Sequence, residues 1–196
     1  MRKLFAVLML LFAVISLAAQ DHLTFKGIPI KGSMISFCQK LKAKGFTSIS
    51  PNDRKKNYRL FLGDFAGQKS FVEVVATDDG KSVYGVIVTF GYSGEWKTLV
   101  STYDYYKNLY IRKYGTPVNS EEYNPAYPDS NTALMGELYE GTVDYHSSWR
   151  LSDGLIILTI DKGIGSFYEG AVWICYYNSQ YMEDKETKLR NELDDI

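Results

Sequence analysis

Twice along the chain a helical pattern of apolar residues is followed by short runs rich in β-branched and aromatic residues, cut by Asx-Gly turns. In the first instance Ser33 can cap a helix in which Met34, Phe37, Cys38 and Leu41 recur at helical spacing, and Gly45 sits where that helix should stop. Strands are then expected at Tyr58–Leu62, Ser70–Ala76 and Ser82–Phe90, with Asp78-Asp79-Gly80 as a hairpin signal between the last two. Tyr84, Val86, Val88 and Phe90 share one face of the third strand; Val83, Gly85, Ile87 and Thr89 share the other. In the second instance a helix from about Glu95 to Tyr114 carries a stripe of Trp96, Leu99, Val100, Tyr103, Leu109 or Tyr110, and Tyr114, closed by Gly115 and Pro117. Val118 to Asp129 reads as a loop. A short helix over Thr132–Glu140 ends at Gly141, and strands follow at Thr142–Leu151, Leu155–Ile160 and Ala171–Tyr177, with Ser152-Asp153-Gly154 turning between the first two. Ahead of all this, Leu23–Ile30 reads as an opening strand broken by Gly27 and Pro29. Runs of strands with segregated helices give an α+β class with antiparallel sheets: two tandem helix-plus-antiparallel-sheet halves, residues 20–92 and 93–180. Residues 181–196 form a charged tail or helix with Leu189, Leu193 and Ile196 at helical spacing.

The first 19 residues stand apart. Met1-Arg2-Lys3 is a basic start, Leu4 to Leu17 is dominated by apolar residues, and Ser16-Leu17-Ala18-Ala19 supplies the small residues of a cleavage site. The run falls short of the ~20 apolar residues a membrane span needs. Residues 1–19 are expected to be a signal peptide, and the remainder an exported chain, periplasmic or extracellular, with no membrane span of its own.

Composition narrows the function. The 22 Lys+Arg nearly balance the 23 Asp+Glu, so no basic footprint for nucleic acid exists. Two Cys and two scattered His make no metal-ligand set, and no cofactor motif is present. Gly163-Ile164-Gly165-Ser166 lacks the Lys and the strand–loop–helix context of a phosphate cradle and reads as a loop.

Four segments occur in order: His22 to Ile30 (HLTFKGIPI), Lys40 to Phe46 (KLKAKGF), Leu62 to Gly67 (LGDFAG) and Lys113 to Pro117 (KYGTP). Through them the chain resembles a group of small exported proteins of gut-type Gram-negative bacteria to which no function is assigned. Its layout is also similar to the fold of the beta-lactamase inhibitor protein. The motif-level likeness covers about Asp21 to Pro117; the second half matches in layout alone. The shared motifs are glycines and core apolar residues and bring no catalytic residue with them. What the inhibitor-like layout implies is a sheet surface that grips a partner protein, although fold alone does not carry function across.

Three residue sets bear on chemistry. Thr142, Asp144, His146, Ser148 and Arg150 alternate on one face of a strand, which invites a hydrolase reading through His146 and Asp144. Residues two apart on a strand are ~6.5–7 Å apart, too far for a direct Asp–His hydrogen bond without a bend, and a solvated sheet face explains the alternation. Cys38 and Cys175 sit at core-like positions, where either a disulfide or two buried thiols would fit. Aromatic residues are the third set. There are 16 Tyr, five of them on the long helix at 103, 105, 106, 110 and 114, where packing against a sheet accounts for them. Tyr123 and Tyr127, beside Pro125 and Pro128, lie on the loop, and Trp173 and Tyr177 alternate with Ile174 and Tyr176. These four are the candidate binding residues. The expectation is an exported non-catalytic binding module that grips a protein partner through a sheet face and the Tyr/Pro loop. A glycan-binding accessory protein is the alternative, with the hydrolase behind it.

Overall fold

Two tight hairpin turns shape the N-terminal part of the chain. In the computed structural model, which describes residues 23–49, 56–123, 129–163 and 168–181, strand β1 (Thr24–Phe25) returns as β2 (Ile28–Pro29) through Lys26 and Gly27, both at positive φ (52° and 77°). Strand β4 (Tyr58–Phe65) returns as β5 (Gln68–Ala76) through Ala66 and Gly67, again both at positive φ (52° and 82°). Positive φ at both central residues is the mirror-image turn whose twist matches that of paired strands. The expected broken strand over Leu23–Ile30 is therefore a small separate hairpin, because Gly27 reverses the chain rather than merely weakening it.

The remaining elements are helix α1 (Met34–Ala43), β3 (Thr47–Ser48), β6 (Val83–Thr89), helix α2 (Trp96–Tyr114), β7 (Asn119–Glu122), helix α3 (Asn131–Glu140), β8 (Tyr145–Leu151), β9 (Gly154–Lys162) and β10 (Gly170–Asn178). The eight strands β3 to β10 form one sheet in the order β3-β4-β5-β6-β10-β9-β8-β7, every neighbour antiparallel. The class is α+β with a large antiparallel sheet.

Helix ends follow local chemistry. Ser33 Oγ accepts from Ser36 N at 3.3 Å to start α1, and Gly45, at φ 90°, lies just past its end. Ser130 Oγ accepts from Ala133 N at 3.3 Å to start α3, and Gly141 in the left-handed region ends it. Helix α2 begins without a side-chain cap from its own N-cap residue, Glu95. Asn131, the first residue of α3, serves instead: its Oδ1 accepts from Trp96 N at 2.8 Å and its Nδ2 donates to Gly94 O at 2.9 Å.

The helices contact the sheet on one side. Phe61, Val72, Val74, Val86, Val88, Ile174, Tyr176, Ile156, Leu158 and Trp149 point into a single core that includes Phe37 and Leu41 of α1 and Leu99, Tyr103, Tyr106 and Tyr110 of α2. The tyrosines of α2 are thus largely core. Tyr103 bonds Ser147 Oγ at 2.6 Å, and Tyr110 bonds the hydroxyl of Tyr176. Where the sequence suggested a loop at Val118–Asp129, Asn119–Glu122 forms the edge strand β7. Ser120 Oγ meets Ser147 Oγ at 2.8 Å, and Lys107 of α2 pairs with Glu122 at 2.5 Å, so polar links hold a segment that has no apolar residue to bury. Strand β8 starts at Tyr145 rather than Thr142, because Thr142 is tied to the end of α3 through Glu137 O. Residues 1–22, Tyr127 with Pro125 and Pro128, residues 164–167 of the glycine-rich loop, and the tail beyond Tyr181 lie outside the described residues.

Gly63 on β4 leaves room for the ring of Phe46: an added Cβ would lie 2.2 Å from Phe46 Cδ1. Gly63→Ala is expected to destabilise by about 1–3 kcal/mol, read as a lower denaturant midpoint at unchanged slope. In the β5–β6 connection the Asp79 carboxylate accepts from Lys81 N at 3.0 Å and Thr77 Oγ1 at 2.7 Å, which lowers its pKa from 3.8 to about 2. A depressed carboxyl stabilises above its unfolded pKa and loses that contribution as pH falls toward the folded value. Between pH 5 and pH 2.5 the denaturation midpoint of Asp79→Asn should therefore fall less than that of the wild type.

Candidate functional site: the sheet face opposite helices α1 to α3

Alternation along the strands leaves a second set of side chains on the face opposite the helices. The strand register lines them up in three rows that cross the sheet. One row runs Leu62, Phe71, Thr89, Trp173, Thr159, His146, Glu121. The next runs Leu60, Glu73, Ile87, Cys175, Ile157, Ser148, Asn119, and the third Tyr58, Val75, Gly85, Tyr177, Leu155, Arg150. The middle of this face is apolar and aromatic; its β7–β8 side carries Glu121, His146, Asn119 and Arg150. Leu62 and Phe71 are each 37% exposed.

Trp173 and Tyr177 stand on this face, and their neighbour Tyr176 lies on the core side beside Tyr110. The Tyr177 ring lies over Gly85, where an added Cβ would be 3.2 Å from its Cδ1, so the absent side chain makes space for the ring. Trp173 Nε1 and the hydroxyl of its cross-strand neighbour Thr89 are both buried, and neither has a hydrogen-bond partner among the described residues.

Glu73 sits between Leu60 and Ile87. Burial raises its carboxyl above the usual carboxylate range, and the hydrogen bond from the Tyr58 hydroxyl lowers it part of the way back. Tyr58 in turn is pushed up to about 12, first by burial and then by that carboxylate. Cys175, in the same row, is raised to about 11 by burial, which keeps it a protonated thiol and a poor nucleophile. It is not bonded to Cys38, whose Sγ lies 3.5 Å from Met34 Sδ on α1 in the helix layer. Of the two arrangements the sequence left open, the structure contains the unbridged one, with the sheet between the two thiols.

The polar end of the face corrects one expectation. Asp144 and His146 are in direct contact, Oδ1 to Nδ1 at 2.6 Å, because Asp144 precedes β8 and is free of the strand's spacing. His146 Nε2 meets Asn119 Nδ2 at 3.2 Å. With Asn119 donating, Nδ1 carries the proton and gives it to Asp144, and both ring nitrogens are engaged. The nitrogen that would activate a serine is thus occupied by an amide. Tyr123 does not reach this face as a free contact residue: its hydroxyl donates to Glu137 Oε2 at 2.7 Å and its ring packs at the core's margin. Tyr127 lies outside the described residues. Leu62, Phe71, Glu73, Tyr58 and Ile87 were not singled out from sequence. Their signal was an alternation in which both faces of β5 and β6 carry apolar residues.

Among the described residues no group of three or more His, Cys, Asp or Glu could hold a metal ion, and no helix is long and apolar enough to cross a membrane. Fold and face together define an α+β protein with helices on one side of an antiparallel sheet and an amphipathic surface on the other. No protein-family model, curated protein or solved structure matches the chain.

Glu73 carries a testable consequence. A carboxyl raised by folding stabilises least when ionised, so stability is greatest below the unfolded pKa and declines as pH rises through the folded one. Glu73→Gln should melt at or above the wild-type temperature at pH 7.5, and the difference should vanish near pH 4. A wild type that is clearly more stable at pH 7.5 would show that Tyr58 outweighs desolvation.

Proposed function

We propose that the chain is an exported, non-catalytic binding protein that grips a protein partner on the sheet face opposite α1, α2 and α3. The observation that carries this reading is the row Leu62–Phe71–Thr89–Trp173, in which Leu62 and Phe71 are exposed beside the half-buried Trp173, on a sheet face whose β7–β8 side is polar. An apolar centre with a polar margin is the anatomy of protein interfaces, and aromatic anchors dominate their energetics. A half-buried carboxylate kept at Glu73 against its desolvation supports a partner that brings a cation to that point.

Two further features support the reading. The basic start and apolar run of residues 1–19 fit a signal peptide. The strand order places β6 and β10, the last strands of the 20–92 and 93–180 halves, side by side, which fits two helix-plus-sheet halves in the manner of the beta-lactamase inhibitor protein. The engaged nitrogens of His146 favour this reading over the hydrolase.

The test is site-specific photo-crosslinking in the source cells. A photoreactive residue at Leu62 or Phe71 should yield an adduct with one protein, and the same residue at Ile35, exposed on α1, should not. Trp173→Ala in the Leu62 version should cut the adduct at least about fivefold, as loss of a central aromatic anchor does, while the melting transition is retained. Adducts from Ile35 alone, or none from the sheet face, would overturn the reading; a glycan partner would give the latter result.

A further inference from the structure

On the helix side a cleft of about 200 Å³ lies between the β1–β2 turn, the β4–β5 turn and the C-terminal half of α2. Its walls include Phe65, Leu109 and Tyr114, and Lys26 and Lys113 face it from two different elements; no acidic side chain lines it among the described residues. Among the described residues neither lysine has an ion-pair partner. Lys26 Nζ donates to the main-chain oxygen of Asp64 at 3.3 Å, and Lys113 Nζ lies 4.6 Å from the centre of the Tyr114 ring.

The deeper lining consists of tyrosines. Tyr106 is fully buried, its ring stacked on Phe90 at 4.2 Å, and its hydroxyl has no partner among the described residues. Tyr110 and Tyr176 are bonded to each other. Two phenols joined by one hydrogen bond use one proton and leave the other without an acceptor. Among the described residues there are therefore two phenolic protons beneath the cleft that lack an acceptor, and beside it two ammonium groups, which are donors only. Buried donors are normally satisfied, so this inventory calls for a group that only accepts.

We propose that this cleft binds a small organic anion, a carboxylate with an aryl or short alkyl body. The carboxylate takes the unspent phenolic protons and sits between Lys26 and Lys113, and the body lies against Phe65, Leu109 and Tyr114. The site is on the opposite side of the sheet from the proposed partner surface and stands independently of it.

Titration of the exported chain with phenylacetate, followed by amide chemical shifts in nuclear magnetic resonance, tests the assignment. Saturable shifts are expected at Lys26, Gly27, Leu109 and Lys113, with a dissociation constant of about a millimolar or below for a ligand of this size. Neutral phenylacetamide and inorganic phosphate should each bind at least about fivefold more weakly, the first for want of charge and the second for want of an apolar body. Tyr106→Phe should weaken phenylacetate while keeping or raising the melting temperature, since it removes an unsatisfied buried hydroxyl. Lys26→Gln with Lys113→Gln should weaken it further. Absence of shifts up to about 20 mM, a range that would register even weak binding, overturns the proposal. So does equal binding of phenylacetamide or phosphate, or unchanged binding by the Tyr106→Phe and double-lysine variants.

Discussion

The antiparallel pairing of β6 with β10 is the contact on which everything else rests. Val86 opposite Tyr176 and Val88 opposite Ile174 join the strands on the core side, and Gly85 opposite Tyr177 and Thr89 opposite Trp173 join them on the open side. Without that seam the chain would be two sheets of four strands, each with one short outer strand, and neither would have a wide face. With it, the core under the helices becomes continuous, from Phe37 and Leu41 to Leu138 and Trp149. The N-terminal hairpin strengthens the join from outside the sheet. Leu23 N donates to Asp153 Oδ1 at 2.7 Å and Asn178 Nδ2 to Ile30 O at 3.0 Å, so residues at the start of the first half bind the turn and strand end of the second. Gly154 permits this contact, since an added Cβ there would lie 2.5 Å from Leu23 Cδ2.

What the sequence makes legible is what local chemistry decides. Ser33, Gly45 and Gly141 mark helix ends because a hydroxyl acceptor and a left-handed glycine act within a few residues. The strand alternation of β10 separates Trp173 and Tyr177 from Ile174 and Tyr176, but which pair faces out depends on where α2 docks, a tertiary fact. Strand β7 was unreadable for a related reason. Asn-Ser-Glu-Glu has no apolar residue, and it pairs because Ser147, Lys107 and His146 supply hydrogen bonds from elsewhere in the chain. The Asp144–His146 contact escaped strand arithmetic because the strand begins one residue later than Asp144. The Ala66-Gly67 turn escaped because alanine at positive φ is uncommon and signals nothing by type.

The two faces of the sheet handle polar groups differently. On the helix side the polar atoms that burial strands mostly find one another: Tyr103 with Ser147, Tyr110 with Tyr176, and Trp149 Nε1 with Gly115 O at 2.9 Å. On the opposite face Thr89 and Trp173 have no partners among the described residues and Glu73 is partly desolvated, although α1, α2 and α3 lie on the other side of the sheet. Unsatisfied groups cost stability wherever water is excluded, so a sequence shaped by folding alone would place apolar or fully solvated residues there. Their presence at the centre of the face fits a surface completed by something else.

The edges of the sheet bear on how the proposed partner would approach. Adding a strand to an edge is the common alternative to docking on a face, and it needs a long, flat edge with unpaired main-chain groups. Strand β3 is two residues long, and β7 is four exposed polar residues ending in Glu121-Glu122. Short, charged edges are how sheets resist strand addition. With short outer strands at both edges and α1, α2 and α3 on one face, the broad surface that the proposed partner would use is the face built on Trp173, Phe71 and Leu62. For the proposed complex, side-chain complementarity rather than main-chain pairing would supply both affinity and selectivity.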